Sequence, residues 1–295
     1  GGFVGESKAQ ILGAFGEHAD VIADWILLEP REAESGSGDP NAERARAFVA
    51  EHGLPVVFKP DVGERGSGVR VLRTEVDLDD VLADLDKPSH LQRFAPGPEY
   101  GVFVVRRPRP DGSAGPIELY SITAKQPYGV TGDGSSTLER LILSDRRAVV
   151  RAKLHFETHA ERLQDVPAAG EEVVLCDLGT HSLGALFLDA NDQATEELRA
   201  TLARLCEPFD GLHFGRFDLR VAPPHELGSG RGLAIIELNG MTSEATHIYD
   251  PRHGVRFAWR TLCDQWTLAF EIAAANHARG SSYPSFWSQM RALIR

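Results

Sequence analysis

Apolar and polar positions alternate along this chain in two rhythms, short runs that suit strands and longer stretches that suit amphipathic helices. Runs at Pro55–Pro60, Val69–Leu72, His90–Phe94, Tyr100–Val105, Ile117–Ala124, Leu183–Leu188, Arg216–Val221 and Ala234–Leu238 predict strands. Among them, Asn41 can cap a helix reaching Ala50, with Gly53 as its stop. Asp77–Leu85, a stretch from Thr137, Arg147–Leu163 and Thr195–Cys206 read as further helices. The pattern closes on a helix at about Val255–Asn276. There Ala258, Leu262, Trp266, Phe270 and Ala273 recur at helical spacing and predict one apolar stripe against a core. Ser35–Pro40 reads as a flexible loop and Ala95–Pro98 as a turn-rich joint. The expected class is α+β in two lobes. Residues 1–95 would hold an N-terminal helix and a smaller lobe, and residues 96–295 a larger one, with a cleft between them as the default ligand site.

Composition narrows the partners. Apolar residues make up 42% and charged residues 25% of the 295 positions, enough to bury a sizeable core. The net charge of −12 repels phosphate backbones and anionic lipid, which argues against nucleic acid or a membrane surface as partner. No run of about 18 apolar residues is present, so no membrane-spanning helix is expected. Cys176, Cys206 and Cys263 are far apart and odd in number, which suits a reducing cytoplasm and neither a zinc site nor a disulfide framework. The opening Gly1-Gly2-Phe3-Val4 lacks an initiating methionine and reads as a trimmed fragment. A symmetric homodimer is the base-rate expectation for assembly.

An acidic chain that takes a phosphate-bearing ligand needs a local positive site, and Phe58–Val69 offers one. Gly63, Gly66 and Gly68, with Ser67 between the last two, let backbone N–H groups approach an anion, and Lys59 at the strand end adds a fixed charge. Strand, glycine loop and returning strand suggest a hairpin lid over phosphates; by themselves the glycines fit a plain turn equally well. The second constellation is Asp218 on one strand with Glu237 and Asn239 on another. Glu237 and Asn239 are two apart and share a face, so the three side chains make an oxygen set suited to a hard divalent cation. Arg216 sits on the face of Asp218, as expected where a polyphosphate must be clamped. At the joint, Gln92–Glu99 can receive a planar base at the Ala95 backbone, with Glu99 accepting from ribose hydroxyls. Lys125 leads into Thr131–Ser136 and can reach phosphate. Each of these has a bland alternative: a solvated lysine, an ordinary turn, an exposed sheet face.

Together, in order, the segments Val57-Phe58-Lys59-Pro60 with Gly66-Ser67-Gly68, Gly97-Pro98-Glu99-Tyr100, Val130-Thr131-Gly132-Asp133-Gly134, Gly215-Arg216-Phe217-Asp218 and Glu237-Leu238-Asn239-Gly240 resemble the ATP-grasp superfamily, nearest to carboxylate–amine ligases of the D-alanine–D-alanine ligase and cyanophycin synthetase kind. The resemblance implies an ATP-grasp fold with the nucleotide between the lobes, and with the usual N-terminal substrate lobe absent or truncated. It implies phosphate contacts from Lys59, Lys125 and Lys8, adenine contacts from Gln92 and Ala95, and ribose contacts from Glu99. Asp218, Glu237 and Asn239 would hold two Mg²⁺ ions, or Mn²⁺ in their place, and Arg216 would face the reacting carboxylate. The implied activity activates a carboxylate as an acyl phosphate and couples it to an amine, with small-molecule acid and amine as substrates. Ser243, Glu244 and His247 after the metal set are the candidate acceptor contacts, and His181 in Thr180-His181-Ser182 is a candidate substrate contact for a carboxylate. Two other classes compete: an ATP-binding module without catalysis, and a phosphotransferase to a hydroxyl or imidazole, for which His181 and His247 would be the carriers.

Overall fold

The computed structural model describes residues 7–16, 21–30, 40–63, 67–176, 179, 184–207, 209, 211–283, 285, 287 and 290. The first unit is a four-stranded antiparallel sheet in the order β1-β4-β2-β3, built from β1 (Trp25–Leu28), β2 (Val56–Pro60), β3 (Arg70–Leu72) and β4 (Ser89–Arg93). Two helices cover it, α2 (Pro40–His52) and α3 (Glu75–Ala83). The second starts on a reciprocal cap, in which the Thr74 hydroxyl accepts from Asp77 N–H and the Asp77 carboxylate accepts from Thr74 N–H. Phe48 and Val49 of α2, Leu78 and Val81 of α3, and Val56, Leu72 and Leu91 of the strands close one core.

The second unit is a five-stranded antiparallel sheet in the order β11-β10-β5-β6-β9: β5 (Glu99–Val105), β6 (Glu118–Gln126), β9 (Leu186–Asp189), β10 (Phe214–Val221) and β11 (Leu233–Asn239). Beside it lies a ribbon of β7 (Tyr128–Thr131) and β8 (Glu172–Cys176), packed against α4 (Leu138–Ser144) and α5 (Ala152–Thr158). One face of the large sheet buries Phe217, Leu219 and Val221 of β10 against Leu198, Leu202 and Leu205 of α6 (Glu196–Cys206) and against Leu12 of α1 (Lys8–Gly13) and the following Phe15. The other face changes character along its length. At one end Phe103, Val105 and Phe214 pack under Leu268, Ala269 and Ile272 of α7 (Val255–Ala278). At the other end the same face carries Arg216, Asp218 and Arg220 in alternation, with Glu99 and Lys125 alongside in register.

The α+β class expected from the pattern matches the mixed helices and antiparallel sheets observed. Three strands escaped it: β1, β7 and β8, whose residues form no run of alternating apolar and polar positions long enough to stand apart from the flanking loops. The helix expected over Arg147–Leu163 is broken into a 3₁₀ turn at Ala148–Arg151, α5, and a second 3₁₀ turn at Ala160–Arg162. Its start is held by Asp145, whose carboxylate accepts from the N–H of Arg147 and Ala148. The largest departure concerns α7. The stripe expected in the core is open at its aromatic members, with Trp266 50% exposed and Phe270 72%, while Ala258, Leu262 and Ala273 are half-buried. The buried line is instead Gln265, Leu268, Ala269 and Ile272, whose smaller side chains fit close against the sheet.

Candidate active site

Lys59 reaches from the small sheet to the large one. It projects from β2 and is almost fully buried, and its Nζ donates to Gln92 Oε1 at 2.7 Å and to the Ile236 carbonyl of β11 at 3.1 Å. That carbonyl is available because the ladder slips beside it. Asp218 pairs with Glu237 and Leu219 with Ile235, so Ile236 is the extra residue of a β-bulge. Burial pulls the Lys59 ammonium down to about 8; Glu237 pulls it back up, and Lys8 adds to the lowering. Lys8 comes from the start of α1, where its N–H donates to the Asp61 carbonyl and the Ala9 N–H to the Asp61 carboxylate at 2.8 Å. Its Nζ donates to the carbonyls of Asp61 and Gly63 at 3.3 and 3.1 Å and lies 3.6 Å from Glu237 Oε1. Asp61 follows β2 directly, so it fixes Lys8 to the root of the glycine loop. Burial opposes ionisation of Asp61, but the Ala9 N–H, the Ser7 hydroxyl and His90 outweigh it and hold the carboxyl below its usual range.

On the large sheet the register does the assembling. Asp218 stands directly opposite Glu237, and Arg216 opposite Asn239. Two facing carboxylates repel unless cations intervene. Here Lys125 Nζ lies 3.0 Å from Asp218 Oδ1 and 3.1 Å from Glu99 Oε1, and Arg216 Nε donates to Asp218 Oδ1 at 2.9 Å. Asn239 Nδ2 donates to Asp218 Oδ2 at 3.1 Å. Burial would raise the Asp218 carboxyl, but Arg216 and then Lys125 outweigh it and bring it down to about 2, so the group is ionised at any working pH. Gly101 sits across from Asp218 on β5; a Cβ there would lie 3.2 Å from Arg216 Cδ and 3.4 Å from Asp218 Oδ1. The missing side chain leaves room for the ion pair.

The remaining expected residues fall around this centre. Gln92 is buried, with its oxygen accepting from Lys59 and its nitrogen donating to Ala23 O at 3.2 Å. Ala95 is buried and its carbonyl accepts from Arg220 Nη1 at 3.0 Å. Glu99 is shared between Lys125 and Arg220. Ser67 and Gly68 are exposed at the loop tip. Gly68 has φ +74°, and a Cβ there would meet Pro60 Cγ at 2.9 Å. Gly66 and His181 lie outside the described residues. Past Asn239, the Ser243 hydroxyl donates to the Gly240 carbonyl at 2.6 Å, and the Glu244 carboxylate accepts from the Tyr249 hydroxyl. The Glu244 carbonyl accepts from Arg216 Nη1 at 3.1 Å. His247 is buried beside Phe257, with Nδ1 lacking a protein partner.

Two residues of this region went unnoticed in the sequence. Arg220 bridges Glu99 and Ala95 and covers the Phe94 ring at 4.5 Å. Its signal was present, since it continues the Arg216, Asp218 alternation by one more step. Gln265 of α7 accepts from Ala245 N–H at 2.9 Å and donates to Ser243 O at 3.0 Å, so it braces the loop after Asn239. Nothing local marks it.

Among the described residues, no group of three or more His, Cys, Asp or Glu side chains forms a closed metal cluster. The donor chemistry of Asp218, Glu237 and Asn239 nevertheless fits Mg²⁺, which uses one or two carboxylates and completes its shell with water and phosphate oxygens. The Asn239 nitrogen donates to Asp218, so its oxygen is the atom that could serve as a metal ligand.

No protein-family model matches the chain. It is 21% identical over 253 residues to the glutathione biosynthesis bifunctional protein of Clostridium perfringens, covering 78% of this chain and 30% of that protein. It is 35% identical over 114 residues to a D-alanine–D-alanine ligase of Desulforudis audaxviator, covering 37% of this chain and 36% of that one. Among solved structures it resembles the ATP-grasp ligase PsnB in complex with its minimal precursor, at 13% identity and a TM-score of 0.48, over 90% of this chain and 60% of that one. The chain thus spans about a third of the length of the curated relatives it matches. The second of these relatives is a D-alanine–D-alanine ligase, the kind of enzyme that the motifs resemble.

Proposed function

We propose that this chain carries the nucleotide and metal site of an ATP-dependent carboxylate–amine ligase. The observation that supports it best is the meeting of Lys59 and Lys8 with Asp218, Glu237 and Lys125 across the two sheets. Cations from both units surround an oxygen set, and each is paired with a protein acid or carbonyl that a polyphosphate can replace. In this reading Lys8, Lys59 and Lys125 exchange those partners for phosphate oxygens, with Ser67, Gly68 and Gly66 closing above. Gln92, Ala95 and Glu99 receive base and ribose, which requires Arg220 to release Ala95 O and Glu99. Asp218, Glu237 and Asn239 hold Mg²⁺, which when bound neutralises charge on the phosphates.

The chemistry then follows from charge and position. A substrate carboxylate attacks the γ-phosphorus, the bond to the β-phosphate oxygen breaks, and ADP leaves. Lys59 and Lys125 hold the phosphates in line. The amine attacks the acyl carbon, phosphate departs, and the amine proton is lost to solvent or to a nearby base. In this reading Arg216 stabilises the oxyanion of that addition. Ser243, Glu244 and His247 are the proposed acceptor contacts and His181 a proposed contact for a substrate carboxylate; Glu244, beside Arg216, suits a substrate ammonium. The division at residue 95, the cytoplasmic location, and the acid and amine themselves remain part of this proposal. No helix among the described residues is long and apolar enough to cross a membrane.

The test is ADP release and hydroxamate formation from panels of amino acids and short peptides, with Mg²⁺ and hydroxylamine. Acid-dependent ADP with hydroxamate is the expected result. Binding of ATP with no acid-dependent ADP from any panel member would favour a module without catalysis, and a stable phosphorylated product would favour a phosphotransferase.

A further inference from the structure

The face of α7 turned away from the sheet carries a run of exposed apolar side chains. Val255, Trp259, Cys263, Trp266 and Phe270 follow one another at spacings of four, four, three and four, which sets them on a single line of the helix. Trp259 is 71% exposed, Trp266 50% and Phe270 72%. At about 200 Å² for a fully covered aromatic side chain, these three leave roughly 400 Å² of aromatic surface open per copy, near the upper range of patches on monomeric proteins.

The charges along this line say what covers it. Arg256 and Arg260 flank its N-terminal half, and Asp264 and Glu271 its C-terminal half, all four exposed and on the same edge by helical spacing. Basic residues in the first turns oppose the helix dipole, and the first turn holds no acid. This distribution is self-complementary only when α7 meets an antiparallel copy of itself. A two-fold axis near Cys263 places Trp259 against Trp266, Val255 against Phe270, Arg256 against Glu271 and Arg260 against Asp264, each within about one residue of register. Two copies then cover on the order of 800 Å² of aromatic surface before the flanking side chains are added, which approaches the size of a specific interface.

We propose that the exposed face of α7 is the interface of an antiparallel, two-fold dimer of this chain. The inference is independent of the ligase reading, since it uses no residue of the nucleotide site. In sedimentation velocity at micromolar concentration, the chain sediments at twice its 32.2 kDa mass. Trp259→Asp with Trp266→Asp raises the dissociation constant by at least about 30-fold, as loss of central aromatic anchors does. Circular dichroism of that variant matches the parent, because both rings are open in the single chain. The geometry is tested by charge reversal. Arg256→Glu with Arg260→Glu in one preparation, and Asp264→Arg with Glu271→Arg in another, each sediment as monomers, and mixing the two restores the dimer. A short bis-maleimide links the parent through Cys263, the exposed cysteine, into a covalent dimer. A parent that stays monomeric at 100 µM, or a dimer indifferent to the tryptophan changes, overturns the proposal. So does a mixture of the two reversed chains that fails to associate.

Discussion

At the scale of single residues, the site is a balance of charges that no one of them could sustain alone. Asp218 is buried, yet Arg216, Lys125 and the Asn239 amide all point at it. Asp218→Asn therefore leaves two buried cations short of a partner. It is expected to cost about 3 kcal/mol in urea unfolding and to abolish the Mg²⁺ dependence of nucleotide binding. Lys59 works in the opposite sense. Its ammonium is brought down to about 8 in the fold against 10.5 when exposed, so the unfolded chain binds the extra proton between those values and stability rises with pH across that window. Lys59→Met is expected to flatten that rise in melting curves taken from pH 8 to 10.5. The same titration predicts that metal-free ADP binds progressively less tightly as pH climbs through about 8, and that Lys59→Arg removes the trend; calorimetry in EDTA checks both. These residue types and their spacing were readable in the sequence, because Asp218, Glu237 and Asn239 break otherwise apolar strands. The partners that set their ionisation were not, since the Ile236 bulge and the Lys8 to Glu237 approach are products of tertiary packing.

At the scale of elements, legibility tracked the length and regularity of each pattern. The helical stretches expected from Thr137 and Thr195 do begin there as α4 and α6, each threonine acting as the cap, with side-chain oxygens accepting from Arg140 N–H and Leu198 N–H. The failure at α7 is instructive, because a periodic apolar stripe reports a face that wants burial without saying by what. Here the sheet takes the smaller residues one third of a turn away, and the aromatic stripe is left outward. Gln265 belongs to that buried line and braces Ala245 and Ser243. Gln265→Leu strands both backbone groups, and a loss of about 2 kcal/mol in urea unfolding is expected, with the acceptor KM rising more than kcat falls. The glycine loop is the other element with a sharp expectation. Gly68→Val combines a positive φ with contact against Pro60, so nucleotide affinity should drop at least about tenfold while circular dichroism stays unchanged.

At the scale of the whole molecule, two sheets meet through a lysine of one and a bulged strand of the other, and the charged patch lies where they meet. Lys59 contributes from the small sheet, Lys125, Asp218 and Glu237 from the large one, and Lys8 from a short helix packed on the large sheet's core. Neither sheet alone has the complete set, which is why a cleft site could be anticipated from the order of motifs but its wiring could not. The most direct measurement is calorimetric binding of a non-hydrolysable ATP analogue, with and without Mg²⁺, to the parent chain, Lys125→Met and Asp218→Asn. Mg²⁺-dependent binding to the parent is expected, weakening at least about tenfold in Lys125→Met and losing its metal dependence in Asp218→Asn. Binding that ignores both substitutions, or no binding to a folded parent chain, would contradict it.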